Sequence, residues 1–241
     1  MALSKIKTNS LDDSASTNAK IADTTIDVTG KITGAVPIAN GGTALTSIGS
    51  ANQAMTVNSG ASALEFSTIK KAGKESIWVP ANAMYPNTTS GCAALAQTEL
   101  GNGPELKTLD FDKDSDEFAQ FAVAFPKSWN EGTITFQAFF TAASTNTGDV
   151  VWTLAGTALA DNGSLNTAFG TAVATTGKAH SGTSNDLDVS AESGAVTINN
   201  AAEGELVYFR IHRDVTDDNQ SGDAKLIGIK LFFTTDKAND E

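Results

Sequence analysis

The stretch LVYFRIHR at residues 206–213 constrains the fold most strongly, because its hydrophobic residues recur at every second position. Val207, Phe209 and Ile211 fall on one side of such a segment, and residues 208, 210 and 212 fall on the other. This period of two is typical of a β-strand with one face buried, whereas an amphipathic helix needs apolar residues three or four apart. The segment therefore predicts a strand at the edge of a core.

The same pattern recurs through the second part of the chain. In GTITFQAFF and KLIGIKLFF the expected inward residues are Ile134, Phe136, Ala138, Phe140, Ile227, Ile229, Leu231 and Phe233. Further short candidates are ELKTLDF, FAQFAVAF, DVVWTLAG and GAVTIN, separated by turn-forming clusters such as TAASTNTG and SGTSND. About eight strands with no helical period predict an all-β fold, an antiparallel β-sandwich of jelly-roll type rather than a small barrel.

Net charge and residue composition change together near residue 75. Residues 1–74 hold seven lysines against five acids, a net charge of +2, whereas residues 75–241 hold nine cations against 23 acids, a net charge of −14. All three tryptophans and eleven of the twelve phenylalanines also lie in the second part. We therefore divide the chain into residues 1–74, an extended attachment or shaft segment, and residues 75–241, the sandwich, which alone has enough apolar bulk for a conventional core.

The leading segment carries isolated aliphatic residues among serine, threonine, alanine and glycine. They are Ile6, Ile21, Ile26, Val28, Ile32, Val36 and Ile38. One chain cannot bury them well enough to offset the entropy lost on ordering, but three chains around a common axis can, with one apolar residue from each chain in every layer. This predicts a homotrimer. A flexible linker is the alternative that composition leaves open.

Composition excludes several classes of function. No run is long enough for a transmembrane helix and MALSKIKTNS lacks the apolar core of a secretory signal, so we expect neither membrane insertion nor classical export. The acidic second part repels phosphate backbones, which argues against a nucleic-acid partner. Cys92 is the single cysteine and the chain has only His180 and His212, so we expect no disulfide, no zinc site and no cofactor. Cys92 is interpreted as a small, half-buried loop residue.

Two segments resemble proteins of tailed bacteriophages. VPIANGGTALTSIGSANQAMTVNSGASALEF is similar to a module of phage fibre and appendage proteins, with its Gly-Gly-Thr, its VNSG and a closing Glu65–Phe66 pair, and MALSKIKTNSL resembles the first residues of many such fibres. Segments of the second part, among them IWVPANAMYPNTTSGC and GDAKLIGIKLFFTTDKANDE, look like a C-terminal domain of virion structural proteins. The resemblance covers most of the chain. It implies a homotrimeric virion appendage, made in the infected bacterial cytoplasm, with no chemistry of its own.

Several residue types nevertheless invite a site. Trp78, Trp129 and Trp152 lie beside strand patterns and are interpreted as core or interface residues, with stacking on a sugar ring as the alternative. Two acidic runs, DFDKDSDEF and RDVTDDNQSGDAK, contain enough carboxylates for a glycosidase pair, but closeness in sequence is weak support and sandwich loops are often acidic.

A calcium loop of the EF-hand type fails in both registers of the first acidic run, because Ser115 or Glu117 stands where glycine is required. An irregular calcium site between the acidic loops stays open. Arg210 and Arg213 are the only arginines, and their expected role is pairing with nearby acids rather than recognition of a receptor. We predict no catalytic, cofactor-binding or metal-binding residue.

Two functions from different classes follow from these observations. The first is a non-enzymatic trimeric fibre or spike, fastened to another virion protein on the tail or capsid by residues 1–74, with a head that contacts a glycan or protein of the host surface. The second is a capsid decoration or head-fibre protein with no receptor role. A glycan depolymerase is a more distant third.

Overall fold

The computed structural model describes residues 35–40, 42–51, 53–68, 73–237 and 239–240. The chain divides into two compact units, Met1–Lys70 and Lys71–Glu241. In the described ranges the regular elements of both units are strands, apart from the short 3-10 turns Ile38–Asn40 and Ala81–Ala83. Within those ranges no helix is long and apolar enough to cross a membrane. The all-β class predicted from the sequence is confirmed.

The first unit contains a hairpin of β1 (Gln53–Val57) and β2 (Leu64–Thr68), paired antiparallel. The ring of Phe66 lies so close to Gly49, which has φ +79°, that a Cβ there would come within 2.7 Å of the ring. This glycine thus provides both the backbone conformation and the space, and the described part of the segment finds a packing partner in its own chain. Ile6, Ile21, Ile26, Val28 and Ile32 lie outside the described residues, so the threefold packing stays a prediction.

The second unit contains the remaining strands. They are β3 (Lys74–Pro80), β4 (Tyr85–Pro86), β5 (Ala96–Thr98), β6 (Leu106–Phe111), β7 (Phe118–Ala124), β8 (Thr135–Ala142), β9 (Asp149–Val150), β10 (Trp152–Leu159), β11 (Val173–Ala174), β12 (Lys178–Ala179), β13 (Asp188–Val189), β14 (Ile198–Asn199), β15 (Leu206–Arg213) and β16 (Ala224–Thr234).

These strands form two six-stranded sheets, with β9 and β12 as a separate pair. The front sheet has the order β11-β10-β15-β7-β4, with β14 added parallel to β10. The back sheet has the order β13-β8-β16-β6-β5, with β3 added to β16. Successive long strands alternate between the sheets, from β6 to β7 to β8 to β10, which is the jelly-roll-like sandwich that the sequence predicts.

The core lies between the two sheets and is rich in aromatic rings. Trp152 of the front sheet is fully buried and meets Phe111 of the back sheet edge-on, with 5.1 Å between ring centroids. In β15 the residues Val207, Phe209 and Ile211 are fully buried, as the alternation predicts. Their neighbours at 208, 210 and 212 therefore point to the outer side of the front sheet.

One of the inward sets is wrong by a residue. In β16 the pairing with β8 shifts between Leu226 and Gly228, so Leu226 is fully buried and Ile227 is only partly buried. Beyond this bulge Ile229, Leu231 and Phe233 point inward as predicted. A bulge inserts one residue and reverses the alternation, which a strict period of two cannot anticipate.

Candidate functional site

The outer side of the front sheet carries an unusual concentration of aromatic and polar side chains. We call it the front face and define it by Tyr85, Phe118, Gln120, Ala122, Thr153, Thr157, Phe169, Tyr208, Arg210 and His212. Strand pairing places Gln120 opposite both Tyr85 and Arg210, and Tyr208 opposite both Ala122 and Thr157. Neighbouring strands thus hold these side chains in rows across the sheet.

A cavity of about 590 Å³ opens on this face. Gln120, Thr157 and Tyr208 contribute to its floor from three adjacent strands, while the segment after β10 contributes Leu165 and Phe169. The other lining residues are Leu159, Ala160, Asp161, Thr167, Gly204 and Leu206. A concave site of this size, with apolar walls and a few polar groups, is the usual form of a small-ligand pocket.

The wall of the cavity is anchored to the sheet by backbone contacts. Gly170 donates its N–H to the carbonyl of Gly156 at 3.0 Å, and the Asn199 side chain donates to the carbonyl of Ala168 at 3.0 Å. A Cβ at Gly170 would lie 2.8 Å from the Thr197 carbonyl oxygen, so the close approach requires glycine. The segment from 160 to 169 is therefore held in place as a side of the pocket.

Two features of the cavity suit a ligand with hydroxyl groups and a flat apolar side. The Gln120 amide on its floor can both donate and accept hydrogen bonds. Leu165 and Leu206 remain 80% and 41% exposed, so apolar surface faces solvent there. Exposed apolar groups cost free energy in the empty protein, and a ligand that covers them recovers it.

The two tyrosines of the front face lie close together. Tyr85 is 48% exposed at the edge of the sheet. Burial raises the pKa of its phenol, and the neighbouring Tyr208 acts in the same direction. Both tyrosines present flat faces with hydroxyl tips, a combination that suits contact with amphipathic ligands.

Arg210 lies beside the cavity and contacts two aromatic rings. Its guanidinium carbon is 4.8 Å from the Phe118 ring centroid and 5.1 Å from that of Phe169. Its Nε is buried without a hydrogen-bond partner in the described structure. No carboxylate oxygen of the described residues lies within 4.0 Å of it, so the expected acid pairing is not found on this sheet face, and pairing at a subunit contact stays a prediction.

His212 adjoins Arg210 on the same strand face. The Thr153 hydroxyl lies 2.6 Å from its Nδ1, and its ring is 4.8 Å from that of Phe118. Burial lowers the pKa of His212 and the Arg210 charge acts in the same direction, whereas Asp116 and Asp214 oppose them. The imidazole is thus neutral at pH 7, and Arg210 carries the charge of the front face.

Arg213 has the opposite environment, although it ends the same strand. It is fully buried and forms a two-pronged ion pair with Asp218, with 2.9 Å between Nη2 and Oδ1. Its remaining donors meet the carbonyls of Gln220 at 2.7 Å and Gly222 at 2.8 Å. The expected acid pairing is confirmed for Arg213, and its partner is Asp218 rather than the adjacent Asp214.

The acidic runs are used largely to organise loops. Asp116 accepts the N–H of Val215 at 3.1 Å and so ties the first acidic loop to the second. Glu117 accepts the N–H of Asp112 at 2.9 Å. Within the described ranges no group of three or more histidine, cysteine, aspartate and glutamate side chains is arranged to hold a metal ion.

The side chains of Cys92 and His180 are buried and do not line the cavity. Cys92 is buried, more deeply than predicted, and burial raises the pKa of its thiol to about 12, so it is not a nucleophile at neutral pH. His180 is buried with Nδ1 2.5 Å from an Asp188 oxygen and Nε2 3.0 Å from the Ser144 carbonyl. Both of its nitrogens are occupied.

The three tryptophans separate into two groups. Trp129 and Trp152 are buried in the core, as predicted. Trp78 is 46% exposed on the outer side of the back sheet, where its ring lies on Gly228 and meets Phe139 edge-on at 5.0 Å. The exposed aromatic residues that adjoin a cavity are therefore tyrosine and phenylalanine, which sequence reasoning did not single out.

Comparison with known proteins gives similarities of fold without a family. No protein-family model and no curated protein matches the chain. Among solved structures, a family 35 carbohydrate-binding module from Clostridium thermocellum is 11% identical with a TM-score of 0.37, covering 65% of this chain and 97% of that one.

Two further structures are similar at the same level. The C-terminal CBM6 of LamC, from Zobellia galactanivorans, is 12% identical with a TM-score of 0.35, covering 65% of this chain and 98% of that one. CBM27-1 of Caldicellulosiruptor saccharolyticus, in complex with mannohexaose, is 10% identical with a TM-score of 0.33, covering 69% of this chain and 99% of that one. Likenesses at this level do not transfer a ligand, so the function has to come from the geometry of this chain.

Proposed function

We propose that this chain is a non-enzymatic structural component of a tailed-phage virion whose sandwich unit binds a glycan of the host surface through the front face. The phage assignment depends on the resemblance of the sequence segments described above. The glycan assignment depends on one observation: a cavity of about 590 Å³ in which the aromatic rings of Phe169 and Tyr208 lie beside the Gln120 amide.

A sugar ring fits this chemistry because it has an apolar side of C–H groups and an edge of hydroxyl groups. Tyr208 and Phe169 offer ring surface to the apolar side. The Gln120 amide lies on the floor and can both donate to and accept from sugar hydroxyls. The front face therefore has the groups needed to bind and orient a saccharide, and it needs no metal to do so.

The binding proposal is tested with the purified full chain on a glycan array, followed by calorimetric titration of any hit. Tyr208→Ala is expected to lower the affinity at least about tenfold, because it removes an aromatic contact from the cavity. Trp78→Ala is the matched control, since it removes an exposed aromatic residue from the opposite sheet. Loss of binding in the Trp78 variant alone would move the site to the back sheet.

The virion proposal has its own test. Labelled antibodies against the chain are expected to decorate purified particles at the tail or capsid, and the isolated sandwich is expected to compete with infection of susceptible cells. Decoration of the capsid without cell binding or competition would favour the alternative, a head-decoration protein with no receptor role. Release of oligosaccharide from host glycan would instead support a depolymerase.

The oligomeric state is tested separately by sedimentation equilibrium of the full chain. We expect a homotrimer, because the sparse aliphatic residues of the leading segment need neighbours to shield them. A folded monomer would remove the shaft from the proposal, but would leave the glycan-binding face of the sandwich untouched.

A further inference from the structure

We infer that the glycan bound by the front face is acidic, and that the Arg210 guanidinium binds the carboxylate of a uronic or sialic acid residue. This inference rests on the proposed glycan-binding function and names the class of its ligand. It starts from an arginine that the protein leaves without an acceptor.

Arg210 is positioned from three separate segments of the chain. Strand pairing places it between Gln120 of β7 and Ala155 of β10, and the rings of Phe118 and Phe169 cover it at 4.8 Å and 5.1 Å. Contact with two rings limits the orientations of the guanidinium and reduces its exposure to water. The guanidinium is therefore held in position before a ligand binds. An arginine that only covers a surface does not need to be held in this way.

Its hydrogen-bonding capacity is unused. Nε is buried without a partner, and the described structure shows no hydrogen bond from any nitrogen of Arg210. Because Nε is closed to solvent, the terminal nitrogens Nη1 and Nη2 are the donors left for an acceptor. One N–H group from each of them can meet the two oxygens of a carboxylate, a planar geometry that arginine offers and lysine does not.

The charge of the surroundings makes this arginine distinctive. Residues 75–241 carry a net charge of −14, with 23 acids available to pair with an arginine. Arg213 takes an acid partner in Asp218, whereas Arg210 takes none within the described ranges. His212 is neutral at pH 7 because burial lowers its pKa. The front face thus presents one fixed positive charge next to a saccharide-sized cavity.

The cavity and the arginine are close enough to serve one ligand. Gln120 and Phe169 line the cavity, and the same two residues adjoin Arg210, one across the strand pair and the other through its ring. Asp161, the acid that lines the cavity, is exposed and accepts a hydrogen bond from Asn162 at 2.9 Å. A sugar ring on Tyr208 can therefore extend a carboxylate toward Arg210 on the side away from Asp161.

The test compares each acidic oligosaccharide with its own carboxyl-reduced form, which keeps the sugar ring and removes the charge. The probes are oligogalacturonate, oligomannuronate, oligoglucuronate and sialyl-oligosaccharides, immobilised beside their reduced counterparts and presented to the full chain. We expect at least one acid to bind at least about tenfold more tightly than its reduced form. Arg210→Gln is expected to abolish that preference, and Arg210→Lys is expected to retain part of it.

The possible results separate the two proposals. Equal or tighter binding of the reduced forms would overturn the acidic ligand while supporting a glycan-binding face. Binding of neither set would overturn both. The comparison of the wild-type chain with paired probes needs no variant, so it decides the question even if Arg210→Gln fails to fold. An unchanged preference in a folded Arg210→Gln chain would also overturn the role of Arg210.

Discussion

Arg210 and Arg213 lie on the same strand, yet the protein treats them in opposite ways. Arg213 points into the sandwich, where Asp218 and backbone carbonyls satisfy its donors. Arg210 points outward, contacts two aromatic rings and has no acceptor within the described ranges. The two arginines lie on opposite faces of one strand. Arg213 therefore holds the fold together, whereas Arg210 is available to a ligand.

The environments of the two arginines differ because a loop covers Arg213 and, in the described part of the chain, none of this kind covers the centre of the front face. Residues 214–223 curl back over the end of β15, so their carbonyls converge on Arg213 like the oxygen ligands of a bound cation. No loop of this kind covers the centre of the front face, where the small side chain of Ala122 is exposed. The buried arginine connects the two acidic loops, because Nη1 donates to the carbonyls of Asp112 and Gly222.

The largest effect is expected from Arg213→Met. The change leaves Asp218 buried without its partner, and loss of one member of a buried pair costs about 3–5 kcal/mol of the free energy of unfolding. Chemical denaturation measures it. Arg210→Met is the matched control and is expected to cost about 1 kcal/mol or less, because it removes only aromatic contacts. Equal losses in the two variants would erase the distinction between the two arginines.

A smaller effect is expected from Phe169→Ala, and it should affect binding more than stability. The variant removes one ring from Arg210 and one wall of the cavity. We expect the affinity for an acidic glycan to fall about tenfold, equivalent to about 1.4 kcal/mol. Calorimetric titration measures it, with Leu187→Ala, an exposed leucine of another loop, as the control. Unchanged affinity would place the ligand away from Arg210.

The free energy of unfolding should depend on pH through His212. Unfolded, the imidazole takes up a proton near its ordinary pKa of 6.5, but burial lowers that pKa in the folded chain. The unfolded state therefore binds more protons as the pH falls through the region below about 6.5, so stability declines there. His212→Gln is expected to have a shallower decline between about pH 7 and about pH 5, measured by denaturation. Parallel curves would show that the imidazole is already solvated in the folded chain.

The smallest effect is expected from Asp110→Asn at the partly exposed pair with Lys225, which lie 3.6 Å apart. Pairs open to solvent contribute little, so the free energy of unfolding should change by less than about 1 kcal/mol. Denaturation under the conditions used for Arg213→Met gives the comparison directly. If the free energy of unfolding fell as much as in Arg213→Met, pairing with an acid, rather than burial, would determine how much these groups stabilise the fold.

Local patterns predicted much of the fold. The alternation in LVYFRIHR identified both the limits of β15 and the side to which each residue points, because the pleat of a strand enforces it. The same reasoning misplaced Ile227, since a bulge depends on how β16 pairs with β8. It left open whether each tryptophan lies in the core or at an interface, and Trp78 is exposed on the sandwich because exposure depends on what covers a strand.

The candidate site was less predictable for the same reason. The aromatic residues of the front face come from four separate segments: Tyr85, Phe118, Phe169 and Tyr208. Their spacing in the sequence does not predict that they lie on one face. The acceptors of Arg213 include carbonyls of Phe111 and Gly222, far apart in the chain. Backbone carbonyls leave no trace in the residue types, so such a site cannot be found from composition or motifs.

The amino-acid sequence by itself determined the all-β class, most strand positions, the acidity of the second part and the supply of two arginines. Each of these depends on residue type and on spacing within one segment. Only the tertiary structure decided that one arginine is enclosed and the other open, because that depends on which loops and rings from distant segments surround each guanidinium. Pairing across the sheets brings those segments together, and the energy of a charge depends on its neighbours in space.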